Sequence, residues 1–417
     1  MFRLFGSAWA SRGQHAAGRG TPRAITAYTR QPSTFITPEL EAFRQTCGSF
    51  VEREIRPNVN EWEQVGRCPR ELYAAAGRAD LLGLRYGTEF GGSGQDFLAT
   101  CVLAEELAKS DSIGTAVALM AHAEFALAII ADEASAELQE AWMVPAIAGE
   151  LVGAIGVSEP GTGSDVAALS TVARRDGEDW VISGEKTFIS NGTQADFITL
   201  AVRTGDGPQG ISLIVFPTDT EGFDVSHGLE KMGTRASDTG VLHFDQCRVP
   251  ATNLIGKEGH GLRYILSHFG GERLVIASFA VGAMERMIGL GLDFARTRRV
   301  FGKPIANFQT WRHRFAEMVA QLEATRLLSY QAAHLLSTAH PTADVAVSIA
   351  KLRAASAVQF VAAEILQLHG GFGQIECSPV PRYYRDVAAF SIGAGTSEIM
   401  REIISRALLE PLDLDPH

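Results

Sequence analysis

The chain has 417 residues, 46% of them hydrophobic, enough for two to four domains at roughly 100 to 200 residues each, which excludes disordered and collagen-like classes. Its 37 basic and 48 acidic residues give a net charge of −11, a field that repels nucleic acid and anionic membrane surfaces. Five widely spaced cysteines (Cys47, Cys68, Cys101, Cys247, Cys377) form no CxxC pair, so neither a disulfide framework nor a metal site is expected.

Before the first acidic residue, Glu39, stand Arg3, Arg12, Arg19, Arg23 and Arg30, no lysine, and apolar Phe2, Leu4, Phe5 and Trp9. Residues 1–36 thus have the composition of a mitochondrial transit peptide, which places the protein in the matrix. The competing reading is a bacterial cytoplasmic protein from a GC-rich genome, since arginine outnumbers lysine 31 to 6 throughout. From 37 to 154 apolar residues recur at three and four, as in Leu40, Phe43, Cys47, Phe50 and Leu98, Val102, Leu103, Leu107, predicting a helical domain. From 155 to 270 short β-branched and aromatic runs follow one another (180–183, 186–190, 197–203, 211–217, 240–244), with Gly184-Glu185 as a hairpin signal between the first two. Strands at that spacing without helices between them predict an antiparallel sheet or barrel. From 271 to 417 the helical period returns over 273–297, 309–336, 343–369 and a last helix from Thr396, a four-helix bundle. The fold class is therefore α+β, in three domains. Ser112–Ala131 is interrupted by His122 and Glu124, and Leu274–Met284 is about half the roughly 20 residues a span needs, so both predict core helices and no membrane segment.

Five motifs lie at the borders of these regions. Val157-Ser158-Glu159-Pro160-Gly161-Thr162-Gly163-Ser164-Asp165 combines glycines that let a backbone approach a ligand with hydroxyls that donate to it. Lys186 to Gly192 is a strand ending in a turn, and Arg296 to Pro304 places four cations where a helix stops. Gln367-Leu368-His369-Gly370-Gly371-Phe372-Gly373 ends a helix, and Ile392-Gly393-Ala394-Gly395-Thr396-Ser397-Glu398 begins one, a ready anion site. Taken singly, each is also explained by a turn or a helix cap.

In this order the five motifs resemble the acyl-CoA dehydrogenase family, from about Thr37 to Leu409. The resemblance implies FAD at the junction of the three domains, shared across an interface of a homotetramer. By that resemblance Ile155, Val157, Ser158, Gly163, Ser164 and Phe188, Ile189, Ser190 would hold the flavin ring. Arg298 and Phe301 of a partner subunit would meet the adenine diphosphate half, with Gln309, Gln367, Leu368, His369, Gly370 and Gly371 beside it. Thr396 and Glu398 would complete the site. The reaction implied removes a proton α to a thioester and passes a β-hydride to flavin, giving a trans-2-enoyl-CoA and sending electrons to electron-transfer flavoprotein. Fatty-acid β-oxidation or branched-chain amino-acid catabolism are the corresponding settings.

Such a weakly acidic proton needs a desolvated carboxylate. Many relatives carry it just before the Gly-Thr of the fifth motif, where this chain has Ala394. The isovaleryl-CoA and long-chain branch instead resembles Phe269-Gly270-Gly271-Glu272-Arg273, which makes Glu272 the base, at the start of the first bundle helix. Gly270 departs from the polar or acidic residue usual two places before it. Ser164, Arg273, Ala394 and Gly395 would contact the acyl-CoA, Ala394 through its backbone N–H to the thioester oxygen. Glu89, Glu105 and Glu106 are expected to be surface or capping groups. The substrate is a short branched or a longer straight acyl-CoA. Two other readings stay open: an oxygen-using oxidase, disfavoured by a C-terminus, Asp413 to His417, without a peroxisomal tripeptide, and a non-catalytic flavin-binding scaffold.

Overall fold

The computed structural model describes residues 34–226 and 228–409. The arginine-rich leader, but for its last three residues, lies outside the described residues. The first layer is helical. Helix α1 (Pro38–Phe50) starts at Thr37, whose hydroxyl accepts from Leu40 N, with proline in the first turn beside Glu39 and Glu41. After α2 (Val59–Val65) and α3 (Arg70–Arg78) come α4 (Phe97–Ala108), capped by Asp96, and α5 (Ile113–Met120), capped by Ser112. Both are buried nearly all round, and the second continues as a π-turn over Ala121–Ala126 into α6 (Ala128–Glu133). Two short helices, α7 (Ala136–Leu138) and α8 (Val144–Ile147), lead to the sheet.

Eight strands form that sheet: β1 (Gly153–Gly156), β2 (Val172–Asp176), β3 (Asp179–Ser190), β4 (Phe197–Arg203), β5 (Ile211–Pro217), β6 (Phe223–Val225), β7 (Thr239–Pro250) and β8 (Leu254–Ile255). Their order is β6-β7-β3-β2-β4-β5-β8, with β1 alongside β4. The pairing is mainly antiparallel, but β1 and the end of β2 run parallel to β4, so the purely antiparallel expectation is corrected to a mixed sheet. The expected hairpin at Gly184-Glu185 is also corrected. Gly184 sits inside β3 at φ +150, in a bulge against β7, where a Cβ would come 2.6 Å from Thr171 Oγ1. The reversal instead uses Gly177 at φ +61, between Asp176 and its partner Asp179.

The bundle comprises α9 (Gly261–Thr297), α10 (Gln309–Ser337), α11 (Ala343–His369), a short α12 (Pro379–Asp386) and α13 (Ser397–Leu409). Helix α9 begins well before the expected residue 273, and the expected domain border at 270/271 falls inside it. Gly270 and Gly271 do not break it because both serve close packing: a Cβ would lie 3.3 Å from Leu336 and 3.2 Å from the Phe97 ring. Glu272 is consequently an interior helical residue, and the expectation that it stands at the start of the first bundle helix is corrected.

Three helical stretches, Ile113–Glu133, Gly261–Thr297 and Ala343–Gln374, are long and apolar enough to cross a membrane. The span-length argument is thereby corrected. Their most apolar windows are 89%, 89% and 56% buried within this fold, which accounts for the apolar faces by packing. Glu105 and Glu106 are likewise not surface groups. Both are buried, and Arg44 Nη1 lies 2.6 Å from Glu105 and 3.1 Å from Glu106, joined by Lys109 and the Tyr330 hydroxyl. Four cysteines are buried and Cys377 is exposed, all as free thiols.

Helix α9 crosses α4 at Gly282, where a Cβ would fall 2.0 Å from the Glu105 carbonyl oxygen. Gly282→Ala should therefore cost about 1–3 kcal/mol by forcing the helices apart. Urea denaturation checks this, with no change in midpoint as the contrary result.

Candidate active site

Glu272 lies on α9 one residue before Arg273 and is largely withdrawn from solvent. Its carboxyl forms no hydrogen bond or ion pair among the described residues. Loss of hydration pushes its pKa up to about 7, only partly opposed by Arg273 and His268. A carboxyl so placed is half-ionised near neutrality and unencumbered, the state a general base requires.

The fifth motif lies against the next residue. Ala394 and Gly395 both have positive φ, +52 and +89, turning the chain sharply before α13. A Cβ on Gly395 would stand 3.7 Å from Arg273 Nε and 3.0 Å from the Met400 methyl, so the loop sits directly on the arginine. Arg273 is 7% exposed, lies over the Phe269 ring at 5.6 Å, and has its Nε buried without a partner among the described residues. Lys351, fully buried on α11, donates to the Gly395 carbonyl and braces the loop from the other side. Burial, then the neighbouring Arg273, draws the ammonium pKa down to about 8. Thr396 caps α13 by accepting from Ile399 N at 3.3 Å, while Glu398 is exposed and pairs with Arg401. The strained loop presents its backbone rather than side chains, since its residues are glycine and alanine.

The first and second motifs are joined to each other. Thr187 N donates to the Ser158 carbonyl, and Lys186 Nζ reaches both the Val157 carbonyl (3.1 Å) and Glu159 Oε1 (2.7 Å). Glu159 also accepts from Ser170 N and Oγ and from Thr171 N, which ties the glycine-rich loop down at three places. Burial alone would raise this carboxyl; Lys186 and these donors outweigh it and hold the pKa at about 2. Beyond the anchor the loop is open: at Gly161 and Gly163 a Cβ would meet nothing, and Ser164 is exposed. Phe188 is 70% exposed at φ +60, and Ser158 and Ser190 flank it half-buried. Ile189, in contrast, is buried in the sheet core, so only its backbone is presented. Ile155, Val157 and Phe269, three residues before Glu272, all pack against one apolar cluster that includes Tyr264 and Ile265 of α9.

The end of α9 just before the third motif packs on the fourth motif, far from Glu272. Phe294 stacks on His369 at 4.3 Å, while Glu272 lies 22 residues back, about 33 Å along the helix. Arg298, Gln309 and Gln367 are exposed, and Phe301 is 96% exposed on a two-stranded ribbon, β9 (Arg299–Val300) with β10 (Lys303–Pro304). Gly370 and Gly371 leave open space at their Cα atoms. His369 Nδ1 bonds the Ile365 carbonyl at 2.8 Å, and the Leu368 side chain is buried in the helical core, leaving only its backbone for any ligand.

Exposed aromatic rings, open glycine backbones and hydroxyls at Ser158, Ser164 and Ser190 that have no partner among the described residues fit a flat heterocycle with a phosphate-bearing tail such as FAD. Sequence reasoning assigned no role to Lys351, and named Glu159 and Lys186 only as letters of motifs. The signal for Lys351 was available: it breaks the apolar stripe Val347, Ala350, Ala354, Val358 of α11.

Family models match almost the whole described chain: the acyl-CoA dehydrogenase N-terminal domain over residues 37–150, the middle domain over 154–247 and the C-terminal domain over 259–409. The mouse (Mus musculus) mitochondrial long-chain specific acyl-CoA dehydrogenase is 35% identical over 378 residues, covering 90% of this chain and 87% of that protein. A crystal structure of a probable acyl-CoA dehydrogenase from Mycobacterium abscessus superposes with a TM-score of 0.88 at 41% identity, covering 90% of this chain and all of that one. A glutaryl-CoA dehydrogenase from Mycobacterium smegmatis, solved in complex with FADH2, superposes with a TM-score of 0.84 at 28% identity over 90% of this chain and 96% of that one.

Lys186→Met would leave Glu159 buried without its cation, a loss of about 3–5 kcal/mol. Because the Glu159 pKa is depressed below its unfolded value, its stabilisation is present above about pH 4.5 and is lost as pH falls toward 2. Acid unfolding of Glu159→Gln should therefore be flatter in that window than that of the parent; identical acid profiles would contradict the anchor.

Proposed function

The chain belongs to the acyl-CoA dehydrogenase family, and we propose that within it Glu272 is the base that removes the α proton of a fatty acyl thioester. The observation that carries this is the unpaired Glu272 carboxyl, raised to about 7, beside Arg273 and the Ala394-Gly395 loop. With alanine at 394 that loop offers no carboxylate of its own. The protein is a flavin-dependent oxidoreductase, and FAD, when bound, would supply the acceptor for the β-hydride. Ile155, Val157, Ser158, Gly163, Ser164, Phe188, Ile189 and Ser190 would hold the flavin end, Ile189 by backbone.

The chain's own residues then divide the work. Glu272 takes the α proton onto its carboxylate as the enolate-like oxygen develops. The backbone N–H of Ala394, aimed by the positive-φ turn and braced by Lys351, donates to that oxygen. Arg273 and Ser164 position the thioester end, and the apolar surround of α4, α5 and α9 keeps water from the carboxyl. The 33 Å separation supports a shared site in a homotetramer, in which Arg298, Phe301, Gln309 and the Gln367 to Gly371 segment serve a neighbour's cofactor, with Thr396 and Glu398 completing it. Electrons would leave to electron-transfer flavoprotein. The small side chain at 394 leaves room at a substituted β carbon and favours a short branched acyl-CoA; the likeness to the mouse long-chain enzyme favours a longer straight chain. The basic leader supports a mitochondrial matrix location.

An anaerobic titration with isovaleryl-, butyryl- and palmitoyl-CoA, following the oxidised flavin band, tests the reading; bleaching names the substrate class, and no bleaching in a flavin-loaded protein favours the scaffold reading. Fast oxygen consumption would instead favour an oxidase. Glu272→Gln should keep the flavin and lose turnover by about 10²–10⁴-fold, and Ala394→Glu combined with Glu272→Gly should regain part of it. Wild-type rates in Glu272→Gln would remove the assignment. Because the base must be ionised, kcat/KM should climb with pH through about 7 and level above it; a flat profile from pH 6 to 8 would contradict this.

A further inference from the structure

One turn before Glu272 on the same helix stands His268, whose two ring nitrogens both face acceptors. Nδ1 is 2.7 Å from the Tyr264 carbonyl oxygen, with Ser267 Oγ at 3.2 Å, and Nε2 is 2.9 Å from Asp132 Oδ2 on α6. A carbonyl cannot donate, so Nδ1 carries a hydrogen. Asp132 is held below the usual carboxylate range, first by its bond to His268, and an ionised carboxylate cannot donate either. Nε2 therefore carries a hydrogen as well. Two N–H groups make the ring an imidazolium.

We infer that His268, held as a cation between Tyr264 and Asp132, is a positioning residue that sets the ionisation of Glu272 one helical turn away. This rests on Glu272 being the base. The i, i+4 spacing puts the two side chains on one face, roughly 5–6 Å apart at Cβ. The charged groups facing Glu272 are Arg273 and His268. Those facing His268 are Asp132 and, from the loop before α4, Arg85. Arg85 is itself committed elsewhere, 2.8 Å from Glu124 and 4.1 Å over the Phe97 ring, and Thr100 donates to the same glutamate. Arg273 feels the charges of both Asp344 and Glu272. His268 is thus the cation near Glu272 whose own charge depends on a surface carboxylate, Asp132, whose side chain is 65% exposed. The pair lets the base remain available at a pH where burial alone would leave it protonated. His268 occupies the place one turn before the glutamate, and Asp132 is next to last on the helix that packs against α9.

The test is infrared pH titration of the flavin-loaded full chain. The protonated-carboxyl band that Glu272→Gln abolishes reports Glu272 directly, whatever its role in turnover. In His268→Gln the midpoint of that band should rise by about half a unit to one unit, because a cation is lost and Asp132 remains. In His268→Lys, which restores a permanent cation, the midpoint should return toward the parent value. An unmoved midpoint in His268→Gln, or an equal rise in both variants, would overturn the inference. Should His268→Gln fail to retain flavin, the lysine variant decides alone, a raised midpoint counting against. Failure of the underlying reading looks different: Glu272→Gln would turn over isovaleryl- or palmitoyl-CoA at the parent rate, with the infrared shifts unaffected.

Discussion

A carboxylate stripped of water is the interaction on which the rest of this structure depends. Helix α9 is buried along most of its length, between the N-terminal helices on one side and the bundle on the other. Glycines at 270, 271 and 282 let neighbours approach so closely that little space for solvent is left beside it. Placing Glu272 there raises its proton affinity to the point where it exchanges protons near neutral pH. The surrounding cations then matter because each decides how much of that desolvation is returned. Arg273 lies adjacent and His268 one turn away, while Lys351 is spent on a backbone carbonyl rather than on the base.

Around this carboxylate the fold supplies backbone rather than side chains. The loop at 393–395 is small-residue and strained, braced by Lys351 and by the cap at Thr396. The glycine-rich loop after β1 is open at its tip but pinned at its root by the buried Glu159–Lys186 pair. Rigid roots under exposed tips suit a ligand that is recognised by shape and by hydrogen bonds to main chain. The other end of α9, with Phe294 stacked on His369 and Phe301 projecting on its ribbon, is a second such surface, too far away to serve the same ligand within one chain.

Much of this was legible in the sequence. The helical, β-rich and helical thirds followed from periodicity, and the choice of Glu272 in its Gly-Gly-Glu-Arg run from the resemblance to the isovaleryl-CoA and long-chain branch. What was hidden depends on tertiary contact. Gly270 and Gly271 look like a helix stop, yet Phe97 and Leu336 pack on them and the helix runs through. Gly184-Glu185 looks like a turn, yet Thr171 fills the space beside Gly184 and the strand continues with a bulge. Glu105 and Glu106 look solvated, yet Arg44, arriving from 61 and 62 residues away, buries them. Short strands such as β1, with two glycines among four residues, carry no β signature and form because β4 offers a parallel edge.

The central claim is that Glu272 moves the α proton, and hydrogen exchange tests it without the redox step. A thioester such as 3,3-dimethylbutanoyl-CoA has α hydrogens but none on its β carbon, so it can lose a proton but no hydride. Incubated in deuterium oxide with the flavin-loaded protein and followed by NMR, it should take up deuterium at the α carbon with the parent protein and not with Glu272→Gln. Equal uptake by both proteins would contradict the account and place the base elsewhere.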